Sequence, residues 1–459
     1  MRTNPVLTTA VALASAAQAQ VVQLDINKVP RNNNLSKRAS NVFDTPAENL
    51  RTQGGYFVEV EVGTLGQRLT LQLDTGSSDV WVPSSDASIC RKGMFNIQYV
   101  DGSGSKGDYI QDSFTMGAAN VQNLTMGLGL STSIPNGLIG VGYRTNEASI
   151  QTTGKTYPNL PVAMQQDGLI NSIAYSLWLN DLGASQGSIL FGGIDTEKFV
   201  GNLTTLDLQP TSSRGDAIAE FSVNLYSLDA TSSSGTDSLL GSVPDVVAIL
   251  DSGTTLTYLP QQWAEQAWDV VGAIYEPAVQ LALVPCSMMN SEGHFTFGFA
   301  GPNGPKVNVP MNELVLDVTG GQQPRFPSGP YKNQLVCEFG IVNETSAPYL
   351  LGDTFLRSAY IVYDLVNDQV AIGTTNFNAT KSNIVPFSKM GAPIPSAKAV
   401  AGPLENTLTG SQKTTFSATA GFQKSLEKEN AAGPLTTFSG ASAAVVALTL
   451  AFSLMGSAF

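Results

Sequence analysis

The sequence predicts an all-β protein of two lobes, each lobe one copy of a duplicated unit. Three observations carry that reading. First, 44 glycines and 24 prolines punctuate the 459 residues, and turn formers at that density suit many short strands. Second, two stretches share one pattern: LQLDTGSSDVWVP at residues 71–83 and AILDSGTTLTYLP at residues 248–260. Each is an apolar strand, then Asp, a hydroxyl residue, Gly, two more hydroxyl residues, an aromatic nearby and Pro. Their aspartates, Asp74 and Asp251, lie 177 positions apart, about one domain length, which marks an internal repeat. Third, each copy has a second matching piece, NGLIGVGY around Leu138-Ile139-Gly140 and YLLGDTFL around Leu350-Leu351-Gly352. An apolar-apolar-Gly strand is able to cross close beneath an Asp loop, because glycine admits a neighbouring backbone.

The bulk numbers bound the rest. A chain of 459 residues exceeds one small core and suits two or three domains. Apolar content is 42% and charged content only 13%, about half the usual charged share. The net charge of −13 argues against a nucleic-acid partner, since phosphate binding needs clustered Lys and Arg. Few basic groups also leave little positive self-repulsion once carboxylates are protonated, which suits work in acid. An ordinary acidic secreted protein would have the same composition. The chain has one histidine, His294, and three cysteines. A Ser-His-Asp or Cys-His site would have to use His294, yet EGHFTFGF carries no nucleophile signature, so a structural or surface role is expected. A His- or Cys-based metal cluster is not expected either, and no cofactor or metal is implied.

Both ends read as addresses. Residues 1–19 begin with an Arg, continue as an Ala-rich apolar run and close on Ala17-Gln18-Ala19, the pattern of a secretory signal peptide. Residues 20–38 end in the dibasic pair Lys37-Arg38 and read as a propeptide cut there by a processing protease. Residues 39–205 and 206–388 are then the two lobes. Residues 389–430 become rich in Ser, Thr and Ala and read as a flexible, O-glycosylated stalk. Residues 431–459 close in a run of 17 uncharged residues. Asn430-Ala431-Ala432, a ten-residue spacer and that apolar tail match a GPI-attachment signal at Asn430. The rival, a transmembrane helix, would need about 20 apolar residues and a basic flank. With Phe459 as the last residue given, the anchor is the preferred expectation, to membrane or cell wall. Four Asn-x-Ser/Thr sequons, at Asn123, Asn202, Asn343 and Asn378, fit a glycoprotein.

A single Asp at a strand end is an ordinary turn residue. Two in duplicate suggest a pair. Two carboxylates held at hydrogen-bond distance cannot both ionise easily, so they share one proton. One is then able to accept a proton while the other donates. The doubled D-[TS]-G-[ST] loops with their apolar-apolar-Gly partners resemble the pepsin-like aspartic protease family, from about Gly55 to Phe387. Aspartic proteases are themselves the usual example of such a shared proton. The signal, dibasic junction and tail are similar to the fungal candidapepsin and yapsin branch.

The resemblance implies a bilobal pepsin-like fold, two pseudo-twofold β-barrel-like lobes with the site between them. It implies an aspartic endopeptidase cutting protein or peptide substrates, with Asp74 and Asp251 catalytic. Gly76 and Gly253 would allow tight loops and close approach. Thr75 and Ser252 would hydrogen-bond across to the opposite loop, and Ser77 and Thr254 would bond the outer carboxylate oxygens. Apart from the resemblance, Lys28 and Arg31 lie before the dibasic site, and either would pair with an ionised dyad while the cleft is covered; the alternative is a basic propeptide that simply aids folding. The stretch IQYVDGSGSKGDY, residues 97–109, reads as strand, Gly-rich turn and strand. By resemblance it is the substrate flap, with Tyr99, Asp101 and Gly102 at its tip and Tyr99 beside Trp81. As a lone aromatic, Tyr99 would be read as core. Val100 stands where many members have Gly. Residues 84–98 form a loop shorter than in the fungal relatives, holding Cys90 and one acidic residue, Asp86, so a preference for basic pairs does not carry over. Cys286 and Cys337 match the family's disulfide in the second lobe, closing a loop worth about 4 kcal/mol. Cys90 is left free or paired with another chain. A monomer is expected. The alternative is a catalytically inactive pepsin-fold binding or cell-wall glycoprotein, from which the enzyme differs by having both aspartates and both glycines.

Overall fold

Alternation of buried and exposed side chains along the chain's short strands decides the architecture. The computed structural model describes residues 21–28, 55–84, 94–99, 102–134, 136–184, 186–211, 215, 217–277, 280–317 and 324–423. Strands dominate, in one sheet of 14 strands, one of eight, one of four and one of two among these residues.

The two repeats fold alike. In the first lobe the strand Gln67–Asp74 runs parallel to Leu138–Gly140, with Asp74 opposite Gly140. Val80–Pro83 then lies antiparallel on the other side of Leu138–Gly140. In the second lobe Val247–Leu250 runs parallel to Tyr349–Leu351, and Thr257–Pro260 lies antiparallel on its other side. Each Asp therefore leaves a strand, turns, and returns along the same apolar-apolar-Gly strand. Gly140 and Gly352 make that possible: a Cβ on Gly140 would stand 2.6 Å from the Asp79 amide nitrogen, and one on Gly352 2.3 Å from the Leu256 carbonyl.

The lobes share the large sheet. Ala359–Asp364 pairs with Ala174–Trp178 and with Gln369–Thr375, which pairs in turn with Phe199–Asp207. Strands from both ends of the chain thus form the floor between the lobes. An aromatic cluster sits in it: Tyr175 and Tyr363 stack at 4.8 Å, and Phe221 meets Tyr363 edge-on at 4.6 Å. The second lobe also carries the helix Gln261–Val271, which buries Trp263 and Trp268; Trp268 Nε1 donates to the Ile341 carbonyl at 2.8 Å. Cys286 and Cys337 are joined by a disulfide, Cα to Cα 4.9 Å. His294 opens the strand His294–Phe299 opposite Thr231 and Pro310.

Two terminal segments depart from the sequence reading. Within the expected propeptide, Val22–Lys28 is a strand of the large sheet, in register with Gln186–Phe191 from Val22 opposite Phe191 to Asn27 opposite Gln186. Val22, Leu24 and Ile26 are buried on one face, the period-two pattern of a half-buried strand. The expected stalk is corrected more strongly. Through Gln423 it is not a free tether but a strap along the shared sheet and then the second lobe. Ala397–Ala399 pairs parallel with Leu203–Thr205 of the large sheet. Thr407 is buried; its hydroxyl donates to the Leu225 carbonyl at 2.7 Å and accepts from the Val246 amide at 2.8 Å. Asp237 receives Lys413 Nζ, Ser417 Oγ and the Ala418 amide at 3.2, 3.1 and 2.9 Å. Phe422 is buried against Phe295 at 5.6 Å. A Ser/Thr/Ala-rich composition reads as disorder only when it has no surface to bond; here its hydroxyls and amides complete the lobe.

Among the described residues no helix is long and apolar enough to cross a membrane. Arg31, Lys37, Arg38, Asp86, Cys90, Val100, Asp101 and Asn430 lie outside the described residues, as do the expected signal peptide and attachment signal.

Candidate active site

The two Asp loops meet face to face at the lobe junction. In each, the backbone turns so that the glycine amide two residues on reaches back to the carboxylate. Gly76 N–H donates to Asp74 Oδ1 and Gly253 N–H to Asp251 Oδ1, both at 2.8 Å. The next hydroxyl takes the outer oxygen: Ser77 Oγ donates to Asp74 Oδ2, and Thr254 Oγ1 to Asp251 Oδ2 at 2.6 Å. The glycines are sterically required. A Cβ on Gly76 would come 2.6 Å from Asp251 Oδ1, and one on Gly253 2.4 Å from Asp74 Oδ1.

Thr75 and Ser252 stitch the loops together. Thr75 N–H donates to Ser252 Oγ at 3.2 Å and Ser252 N–H donates to Thr75 Oγ1 at 2.9 Å. Each hydroxyl then donates to the opposite strand, Thr75 to the Leu250 carbonyl at 2.9 Å and Ser252 to the Leu73 carbonyl at 3.2 Å. Two further ties were not singled out from the sequence. Gln72 Nε2 donates to the Gly253 carbonyl and Asn146 Nδ2 to the Gly76 carbonyl, each at 3.3 Å. Gln72 stood inside the quoted motif; Asn146 had no local signal.

Both carboxylates are buried. Burial, then the charge of Asp251, holds the Asp74 carboxyl well above the usual carboxylate range, against the opposing bonds from Ser77 and Gly76. Such a pair favours one shared proton over two charges. Among the described residues no cluster of three or more His, Cys, Asp or Glu is arranged to hold a metal ion.

The hairpin of Phe95–Gln98 and Gly104–Met116 stands beside this site. Tyr99 N–H bonds the Ser103 carbonyl at 2.9 Å and Gly102 N–H bonds the Tyr99 carbonyl at 3.0 Å, with Gly102 at φ +83°. Trp81, wholly buried, donates from Nε1 to the Tyr99 hydroxyl at 2.9 Å.

Lys28, expected to pair with an ionised dyad, stands elsewhere. Its Nζ donates to the Leu182 carbonyl. Burial first, then the Arg357 charge, lowers its pKa to about 8, against Glu313, Asp353 and Asp181. Among these charged neighbours Arg357 Nε meets Glu313 Oε2 at 2.5 Å, both side chains buried. Of the sequon residues, Asn123, Asn202 and Asn378 are exposed and Asn343 is half-buried.

Comparison with known proteins agrees with this geometry. Residues 55–94 and 88–375 match the eukaryotic aspartyl protease family. The chain is 37% identical over 431 residues to the probable aspartic-type endopeptidase opsB of Aspergillus fumigatus, covering 87% of this chain and 86% of that one. It is 32% identical to secreted aspartic protease 8 of Candida albicans, covering 71% and 77%. The crystal structure of the aspartic proteinase from Irpex lacteus superposes with a TM-score of 0.58 at 19% identity, covering 79% of this chain and 100% of that one. The chain belongs to the eukaryotic aspartyl protease family and is a pepsin-like aspartic endopeptidase.

Proposed function

We propose that this chain is a secreted, cell-surface-anchored endopeptidase that cuts proteins in acid, with Asp74 and Asp251 as its catalytic pair. The observation that carries the reading is the paired loop geometry: two buried carboxylates, each fixed by a glycine amide and a hydroxyl, joined by Thr75 and Ser252. In the proposed reaction the singly protonated pair holds a water. The ionised carboxylate takes a proton from that water as its oxygen bonds the scissile carbonyl carbon. The protonated carboxyl gives its proton to the carbonyl oxygen, leaving a gem-diol. Collapse breaks the C–N bond: the proton gained from water passes to the departing nitrogen, and a hydroxyl proton returns to the pair. The hairpin carrying Tyr99 would close over the substrate and exclude water.

Secretion is supported by the signal-like start and by a relative named as a secreted protease. Anchoring rests on the tail around Asn430, processing on Lys37-Arg38, and glycosylation on four sequons of which three are exposed. Asp74→Asn and Asp251→Asn, assayed on a neutral peptide in acid, test the chemistry: each should abolish turnover while the protein still unfolds cooperatively. Release from intact cells by a phosphatidylinositol-specific phospholipase tests the anchor; release by detergent alone would contradict it.

A further inference from the structure

Five residues beyond Asp74 the chain carries a second buried carboxylate that the reaction does not use. Asp79 is wholly inaccessible. A buried carboxylate is costly unless several donors surround it, and three do. The hydroxyls of Tyr109 and Tyr157 both donate to Oδ1, at 2.8 and 2.7 Å. The Ala148 amide donates to Oδ2 at 2.8 Å. Burial pushes the carboxyl up, and these three bonds pull it back. Tyr109 lies on Gly104–Met116, the outgoing strand of the Tyr99 hairpin. Tyr157 lies beyond the short helix Ser149–Thr153, with its own amide bonded to Glu147 Oε2 at 2.8 Å.

The hairpin is thereby gripped twice from one short stretch. Trp81 holds Tyr99 where the hairpin turns, and Asp79 holds Tyr109 on the strand that leaves the turn. Phe95 fills the space between the grips, 6.4 Å from Trp81 and edge-on to Tyr109 at 5.4 Å. Gly127 permits this, since a Cβ there would stand 2.6 Å from the Phe95 ring. Both grips come from the run that begins at Asp74, so the offset between carboxylate and hairpin is set within one rigid unit.

We propose that Asp79 is a positioning residue for substrate binding: by accepting from Tyr109 it fixes the outgoing strand of the hairpin to the Asp74 loop and sets where Tyr99 stands over the cleft. The proposal rests on the reading of this hairpin as the substrate-covering flap. A residue that only supported the fold would change how much enzyme is active, lowering kcat per mole of protein with KM unchanged. A residue that places the hairpin changes KM and inhibitor affinity in the enzyme that does fold.

The test is steady-state kinetics on a neutral peptide and the Kd of a statine-type peptide inhibitor, for the wild type, Asp79→Ala, Tyr109→Phe, the double variant and Tyr99→Ala. Asp79→Ala and Tyr109→Phe should each raise KM and Kd about tenfold, with kcat held within about twofold. The double variant should be no worse than Asp79→Ala alone, because both remove the Tyr109–Asp79 bond. Tyr109→Phe loses a single hydroxyl and carries the test alone if Asp79→Ala does not fold. If Tyr99→Ala impairs KM while Tyr109→Phe leaves KM and Kd at wild-type values, the flap reading stands and the role given to Asp79 is overturned. If Tyr99→Ala is also without effect, the flap reading falls and takes this inference with it.

Discussion

Thr75 and Ser252 are bonded to each other twice, each amide donating to the other's hydroxyl, and each hydroxyl donates onward to the strand of the opposite lobe. Four bonds through two small side chains thus join halves of the chain 177 positions apart. Thr75→Val keeps the shape but leaves the Ser252 amide and the Leu250 carbonyl without that partner. The expected cost is about 1–3 kcal/mol, read as a lower denaturant midpoint at unchanged slope. Turnover should fall with it, since the offset between the carboxylates depends on this tie. Thr75→Ser should restore most of both. An unchanged midpoint and kcat for Thr75→Val would contradict the role.

Gly76 and Gly253 face the opposite carboxylate with no room for a methyl group. Gly76→Ala or Gly253→Ala forces the two carboxyls apart. Turnover should drop by at least about 100-fold, and a statine-type inhibitor should lose affinity in step, because it binds the same pair. Tight inhibitor binding by either variant would show that the loops relax around the methyl.

Asp74 makes stability depend on pH with a definite sign. Its folded-state value stands well above the ordinary 3.8, raised by burial first and Asp251 second. As pH rises past the ordinary value the unfolded chain loses a proton that the folded chain keeps, so stability falls as pH rises. Glu147, raised to about 8 mainly by burial, contributes with the same sign. The difference between wild type and Asp74→Asn isolates the Asp74 share. The variant should unfold at the same temperature as wild type below the ordinary Asp value, and at a progressively higher one as pH rises toward neutrality. A variant less stable at neutral pH than in acid, relative to wild type, would contradict the buried-pair account.

The strap is expected to be part of the folded unit. Thr407→Val should cost about 1–3 kcal/mol, because the Val246 amide and the Leu225 carbonyl both lose a buried partner. A chain ending at Ser388 should unfold at lower temperature than one ending at Gln423. Equal unfolding temperatures would show the strap to be a passive tether.

Much of the site was legible because the chain states it twice. One D-T-G-S loop is a turn; a second copy with its own Leu-Leu-Gly strand identifies partners, and the family resemblance that this duplication carries implied the bonds that Thr75, Ser77, Ser252 and Thr254 make. The same resemblance set Tyr99 beside Trp81, and the structure joins them by a hydrogen bond. What escaped was nonlocal. Lys28 stands out in the sequence only as a basic residue, and its neighbours Glu313, Asp353 and Asp181 come together only when the lobes share a sheet. Asn146 reaches Gly76 from the short 3-10 turn Arg144–Asn146. The strap was misread because polar, small residues look unstructured until the carbonyls and carboxylate they satisfy are in place, as Asp237 and Leu225 are.

The central claim is one proton shared by Asp74 and Asp251, and kcat/KM against pH on the processed enzyme with a neutral peptide tests it most directly. Coupled carboxylates titrate in two steps on either side of the free Asp value of about 3.9. The account predicts a bell on the acid side of neutrality, with the falling limb marking loss of the shared proton, and no bell in Asp74→Asn or Asp251→Asn because neither turns over. A rate that climbs steadily with pH, or peaks above about pH 8, would contradict the shared proton and with it the mechanism.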